Sequence, residues 1–234
     1  MFYITGDTHG SFGRIQLFCK ENKTKRKNDV MIITGDAGIN YYMDIRDKEK
    51  KKKLREIPIT FFCVHGNHEQ RPEELAAYKK IEFCGGTVYV EEEFPNILFA
   101  IDGEVYTFDG KEYLVVGGAY SVDKQYRMLR GYHWWDHEQP SDETKEHTEG
   151  ICEALNWNIH GVITHTCSLK YEPIEVFLSG IDQRKVDKST EEWLDKIEDN
   201  LDYNVWYCGH YHTVKTIDKM RFMYENIEEL KWAD

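Results

Sequence analysis

No pair of cysteines in this chain has the spacing C-x-x-C, and no apolar run is long. The six cysteines, Cys19, Cys63, Cys84, Cys152, Cys167 and Cys208, are scattered over 234 residues, which argues against a disulfide framework. Cys63 and Cys208 lie in the apolar runs Ile59–Val64 and Val205–Cys208, so buried free thiols are expected there. No stretch approaches the roughly 20 apolar residues that a membrane-spanning helix needs. The opening Met1-Phe2-Tyr3-Ile4-Thr5-Gly6-Asp7 lacks a basic region followed by a long apolar one, so no signal peptide and a cytoplasmic protein are expected. Basic residues are also in short supply. Lys and Arg number 30 against 42 Asp and Glu, a formal net charge of −12. That speaks against broad, non-specific nucleic-acid binding. It leaves room for a small basic site, and bound cations would offset part of the acidity. No repeat, low-complexity tract or linker divides the chain. Residues 1–234 are therefore expected as one domain, with 41% hydrophobic residues to fill its core.

What is present begins with short apolar runs at Phe2–Thr5, Val30–Thr34 and Ile59–Val64. Each is rich in β-branched or aromatic residues and stops at glycine, which predicts buried strands. Polar, helix-compatible segments at about 11–22 and 44–55 separate them. This β-α-β-α-β order predicts an α/β fold with parallel strands, whose ligands gather at the carboxyl ends. From Gly85 to Gly118, short strand-like runs alternate with Asp102-Gly103 and Asp109-Gly110. These read as hairpin turns in an antiparallel meander that would form a second sheet. A helix is expected over Ser141–Trp157, capped by Ser141. Ile159–Thr164 is read as a strand. A further helix is expected over Thr190–Leu201, with Ser189 and Glu192 as a capping box. The strand Val205–Cys208 and a closing hairpin, Val214–Ile217 with Phe222–Tyr224, complete the pattern.

Five segments put metal-binding side chains just after a strand-like run. They are Asp7-Thr8-His9, Gly35-Asp36, Gly66-Asn67-His68-Glu69, Thr164-His165 and Gly209-His210-Tyr211-His212. Carboxylate and imidazole suit borderline divalent ions such as Mn, Fe or Zn. Alternate residues of an extended segment point the same way, as Asp7 and His9 would. The neighbouring glycines let the backbone turn and approach closely. A lone Asp-x-His or Gly-Asp is an ordinary turn; five in this order, all at strand ends, make a site.

The pattern Asp-x-His, Gly-Asp, Gly-Asn-His-Glu, His, Gly-His-x-His resembles the calcineurin-like metallophosphoesterase superfamily, from Asp7 to His212. The resemblance implies a four-layer α/β/β/α sandwich of two mixed sheets. It implies two divalent cations per chain, one held by Asp7, His9 and His212, the other by Asn67, His165 and His210, with Asp36 bridging. It further implies hydrolysis of a phosphate mono- or diester by a hydroxide held between the metals, with His68 as general acid or hydrogen-bond donor. The partner would be a phosphorylated substrate. A nuclease-type phosphodiesterase is the alternative, and a non-catalytic scaffold would be expected to have lost ligands that are all present here.

The chain departs from one branch of that superfamily. Gly-Asn-His-Glu is familiar from the protein serine/threonine phosphatases, whose second motif continues to an Asp-Arg pair. Here those positions hold Ile39 and Asn40. The group that orients the histidine is then left to Glu69 or a backbone carbonyl. The phosphate-binding arginine is left to Arg71, Arg127 or Arg130. Arg127 and Arg130 belong to the segment Gly118–Pro140, whose Trp134 and Trp135 read equally as a stacking surface or as the packed side of a surface loop. The basic runs Lys20–Lys27 and Lys48–Arg55 read as solvated helix faces. Residues 171–175, after His165, are candidates for a pocket rim.

Overall fold

The computed structural model describes residues 1–230; residues 231–234, the end of the expected domain, lie outside the described residues. Three strands open the chain, β1 (Phe2–Thr5), β2 (Val30–Ile33) and β3 (Thr60–Cys63), linked by helices α1 (Gly13–Asn22) and α2 (Ile45–Glu56). They pair in parallel, as expected from crossover connections. Asp44 caps α2 by accepting from the Arg46 N–H at 2.9 Å.

The middle of the chain departs from the sequence-based expectation. Strands β4 (Tyr78–Phe83), β5 (Gly86–Glu91) and β6 (Ile97–Ala100) do not start a second sheet. They extend the first, with β6 parallel to β3, giving the order β13-β1-β2-β3-β6-β5-β4, in which β13 is Ile227–Glu229. Strands β7 (Val105–Phe108) and β8 (Lys111–Val116) belong to the other sheet. The chain therefore changes sheets at Asp102-Gly103, which is a crossing and not a hairpin. Asp102 fixes it: its carboxylate accepts from the Gly117 N–H and from Arg71, both at 2.6 Å. Asp109-Gly110 does close a hairpin, with both residues at positive φ.

Helices α3 (Lys124–Arg130) and α4 (Asp142–Ala154), strand β9 (Gly161–Thr164), helix α5 (Ser189–Asn200) and strands β10 (Val205–Cys208), β11 (Lys215–Ile217) and β12 (Met220–Phe222) follow. The second sheet runs β11-β12-β10-β9-β8-β7. Ser141 caps α4 as expected. The expected capping box of α5 does not form. Ser189 lies inside the helix and its hydroxyl turns to Gln139, while Asp187 receives the Ser189 N–H at 3.0 Å.

Strand alternation sorts the core into three slabs. Ile32 and Phe62 face Val115, Ile163 and Tyr207 between the sheets. Their neighbours Met31, Ile33 and Phe61 turn outward onto Ile15 and Cys19 of α1 and Leu54 of α2. On the far side, Val162 and Trp206 pack against Cys152 of α4 and Trp193 and Ile197 of α5. Two mixed sheets packed face to face with helices outside make four layers. All six cysteines are free. No described helix is long and apolar enough to cross a membrane.

Candidate active site

The ends of β1, β2, β3, β9 and β10 bring their motif residues to one place. Close approach there requires glycine. A Cβ on Gly66 would collide with Asp36 Oδ1, and one on Gly209 with Asp7 Oδ1. Four of the converging residues, His9, Asp36, His210 and His212, sit at positive φ. For non-glycine residues this costs about 1–3 kcal/mol each, and it persists only where surrounding structure imposes it.

The side chains interlock. Asp7 Oδ1 accepts from the His210 N–H at 3.0 Å, and Asp36 Oδ1 from the His68 N–H at 2.8 Å. Each carboxylate keeps its second oxygen for the centre. Asp7 Oδ2 lies 3.2 Å from His212 Nε2 and 3.8 Å from His9 Nε2, yet has no aligned hydrogen-bond partner. Asp36 Oδ2 stands between two histidines, 3.9 Å from His9 Nδ1 and 3.8 Å from His165 Nε2. Three overlapping triads result: Asp7/His9/His212, Asp7/Asp36/His165 and His9/Asp36/His68. His210 packs against His165, ring centroids 5.1 Å apart.

His165 tests whether this donor set fits a cation. Its Nδ1 is 2.8 Å from the Thr34 carbonyl, and its Nε2 is 2.8 Å from Asn67 Oδ1. The Asn67 amide is oriented by donating Nδ2–H to Ser121 Oγ at 2.8 Å, so its oxygen faces inward. Both imidazole nitrogens thus face acceptors, but a neutral ring carries one N–H. With that proton on Thr34, the Nε2 and Asn67 lone pairs converge, which suits a shared cation. A carbonyl holding the other ring nitrogen is also the usual way a ligating histidine is oriented.

Electrostatics points the same way. Burial raises the Asp36 carboxyl, but the His68, His165 and His9 rings outweigh it and leave it lowered. Asp7 is likewise lowered: burial raises it, while its contact with His212 and the nearby His165 prevail. Burial first, then His165, pushes His210 down to about 3, which keeps the imidazole neutral and its lone pair free. The two carboxylates are thus anionic and His210 neutral, while contact with Asp7 raises His212, whose proton a bound cation would displace.

The calcineurin-like phosphoesterase family model matches residues 1–214. The chain belongs to this family. No curated protein sequence matches it. Among solved structures, it is similar to a phosphopantetheinyl hydrolase from Mycobacterium tuberculosis at 15% identity and a TM-score of 0.51, over 95% of this chain and 87% of that one. It also matches a protein of unknown function from Aquifex aeolicus at 15% identity and a TM-score of 0.34, over 74% of this chain and 81% of that one. At that identity the likeness to the hydrolase concerns the fold alone.

In this phosphoesterase a cavity of about 390 Å³ opens beside the histidines. None of the three candidate arginines lines it. Arg71 is held by Asp102 and by the His137 carbonyl at 2.7 Å. Arg130 lies in α3, with its guanidinium over the Tyr126 ring. Arg127 is 2% exposed and sits behind the site, donating to Ser121 Oγ at 3.2 Å and reaching the Asn67 carbonyl at 3.5 Å. It supports Asn67 from the rear, and its Nε and Nη2 are buried without a hydrogen-bond partner. Trp134 donates to Glu138 at 2.7 Å, and Glu138 accepts the Ser121 N–H at 3.0 Å. This arm of the 118–140 segment therefore braces Ser121. Sequence reading missed Ser121, whose role depends on a contact 54 residues away.

Glu69 does not orient His68. It is 1% exposed, and its Oε2 accepts from the Gly38 and Ile39 N–H groups at 3.0 and 3.3 Å, pinning the loop after β2. Asp123 faces His68 instead, and both line the cavity. Residues 171–175 do contribute to the rim, through Glu172.

Proposed function

We propose that the chain hydrolyses a phosphate ester at a centre holding two divalent cations. The observation that carries this reading is the placement of Asp36 Oδ2 between His9 and His165, each of which belongs to a different triad. Asp7, His9, Asp36 and His212 on one side and Asn67, Asp36, His165 and His210 on the other would hold cations of the Mn, Fe or Zn kind, which would supply Lewis acidity to the phosphate oxygens and the attacking water. The protein residues do the rest. Asp36 would be the shared ligand, while Ser121 and Arg127 fix Asn67, and Thr34 fixes His165. His68 presents a ring N–H at the cavity wall to the departing oxygen. The water oxygen bonds to phosphorus and releases a proton, the bond from phosphorus to the alcohol oxygen breaks, and that oxygen takes up a proton from the protonated His68 ring, which the proton released by the water restores.

The nuclease reading finds no support in the cavity, because no described Lys or Arg lines it while Asp123, Glu172 and Glu191 do. Six unpaired cysteines accord with a cytoplasmic setting. The experiment is phosphate release by Mn-loaded protein from p-nitrophenyl phosphate, its bis-ester and single-stranded DNA. The aryl esters are expected to react and the Asp36→Asn variant to lose both metal and rate. Turnover unchanged by Asp36→Asn would overturn the reading.

A further inference from the structure

The cavity extends well past the histidines, and its far side has a different chemistry. The chain between β9 and α5 winds through three short 3-10 turns, Leu169–Tyr171, Ile174–Val176 and Gln183–Lys185. From it, Val176, Phe177, Leu178, Ile181 and Val186 line one wall. Phe177 stacks on Tyr211, their rings 17° apart, so the wall is anchored beside His210 and His212. Leu178 is 65% exposed at the mouth. Nothing in phosphate chemistry calls for such a surface. An apolar wall adjoining a charged centre is useful only to a part of the substrate that is itself apolar.

One polar group interrupts it. Glu191, in the first turn of α5, is 4% exposed and lines the same cavity. Its Oε1 accepts from the Thr166 hydroxyl at 2.7 Å, and that hydroxyl also meets Tyr211 at 3.0 Å. Its Oε2 has no partner. A buried acceptor without a donor is costly, and such a group discriminates strongly in favour of a ligand that supplies the missing hydrogen bond.

We propose that this region is the alcohol subsite: the substrate is a small phosphate ester whose alcohol has an apolar body, packed on the 176–186 wall, and an O–H or N–H group bound by Glu191. The proposal rests on the phosphoesterase reading and specifies its substrate class.

Non-hydrolysable phosphonates separate the two claims. Binding to the Mn-loaded chain is measured by calorimetry for methylphosphonate and for alkyl- and ω-hydroxyalkylphosphonates of increasing length. The alkyl compounds are expected to bind about tenfold tighter than methylphosphonate, in keeping with the value of a few methylenes in an apolar pocket. At one chain length the terminal hydroxyl should raise affinity. In Glu191→Leu that preference should invert, the plain alkyl compound becoming the tighter ligand. Leu178→Ser, at the exposed mouth, should weaken the long compounds and spare methylphosphonate. If methylphosphonate binds but chain length and hydroxyl make no difference, the subsite is wrong and the phosphoesterase reading stands. If no phosphonate binds and no ester is hydrolysed, both fall.

Discussion

Asp123 Oδ1 lies 3.9 Å from His68 Nε2, and both side chains line the cavity that Asp36 also faces. The protein serine/threonine phosphatases, which share the Gly-Asn-His-Glu motif, orient this histidine with the aspartate of their second motif. Here Ile39 occupies that position and is fully buried. Asp123, on the loop between β8 and α3, puts a carboxylate near the His68 ring without hydrogen-bonding to it, its Oδ1 being buried without a hydrogen-bond partner. Asp123→Asn is expected to slow hydrolysis of an alkyl phosphate about tenfold or more while metal content and the rate on p-nitrophenyl phosphate change little, since an orienting group acts through the histidine's proton donation. Equal rates for variant and wild type on the alkyl ester would detach Asp123 from the chemistry.

His68 itself should show the same signature more strongly. His68→Asn is expected to keep its metals and to lose about 10²–10⁴ in rate on an ester with a poor leaving group, less on an activated aryl ester. Equal losses on both, with metals intact, would mark a fixed donor to the phosphoryl oxygens; loss of metal would make His68 a ligand.

The glycines divide into two kinds. Gly66→Ala would drive a Cβ into the Asp36 backbone and carboxylate. A loss of about 2 kcal/mol or more in urea unfolding is expected, with weakened metal binding. Gly150, inside α4, has open space where an added methyl would sit, with nothing within 4 Å, so Gly150→Ala should stabilise by about 0.5–1 kcal/mol. A stable Gly66→Ala protein with full metal affinity would refute the close-approach argument.

Burial pushes the Glu191 carboxyl up to about 7 from 4.5, and nearby Glu172 adds to this while the Thr166 hydroxyl and Lys188 oppose it. A raised carboxyl favours folding below its unfolded value, and that contribution is lost as pH rises through the window from 4.5 to about 7. Glu191→Gln carries no such dependence. The variant should therefore gain stability relative to wild type as pH rises through that window, by up to about 3 kcal/mol. A difference in unfolding free energy that stays constant over that range would contradict the burial of an unpaired carboxyl.

The parallel start, the strand-end motifs and Ser141 as a cap were legible because each depends on neighbours in sequence. The candidate ligand positions stood out because the fold needs glycine beside them. The sheet change at Asp102 was not legible, since Asp-Gly reads as a turn whichever sheet follows, and Asp102 acts through Arg71 and Gly117. The β4–β5 hairpin turns on Cys84-Gly85, both at positive φ, a pair without the usual Asn-Gly or Asp-Gly signal. The surroundings of the arginines were hidden for a related reason: composition shows that a cation is available, but only packing shows Asp102 beside Arg71 and Ser121 beside Arg127. Asp123, Ser121 and Glu191 carry no local motif at all.

Dependence of phosphate release on two cations is read in a metal titration of activity. Chelator-stripped protein is titrated with Mn²⁺ while phosphate release from p-nitrophenyl phosphate is followed. No release is expected without metal, and the rate should saturate at about two ions per chain. Release that persists without metal, or none at any metal level, would contradict it.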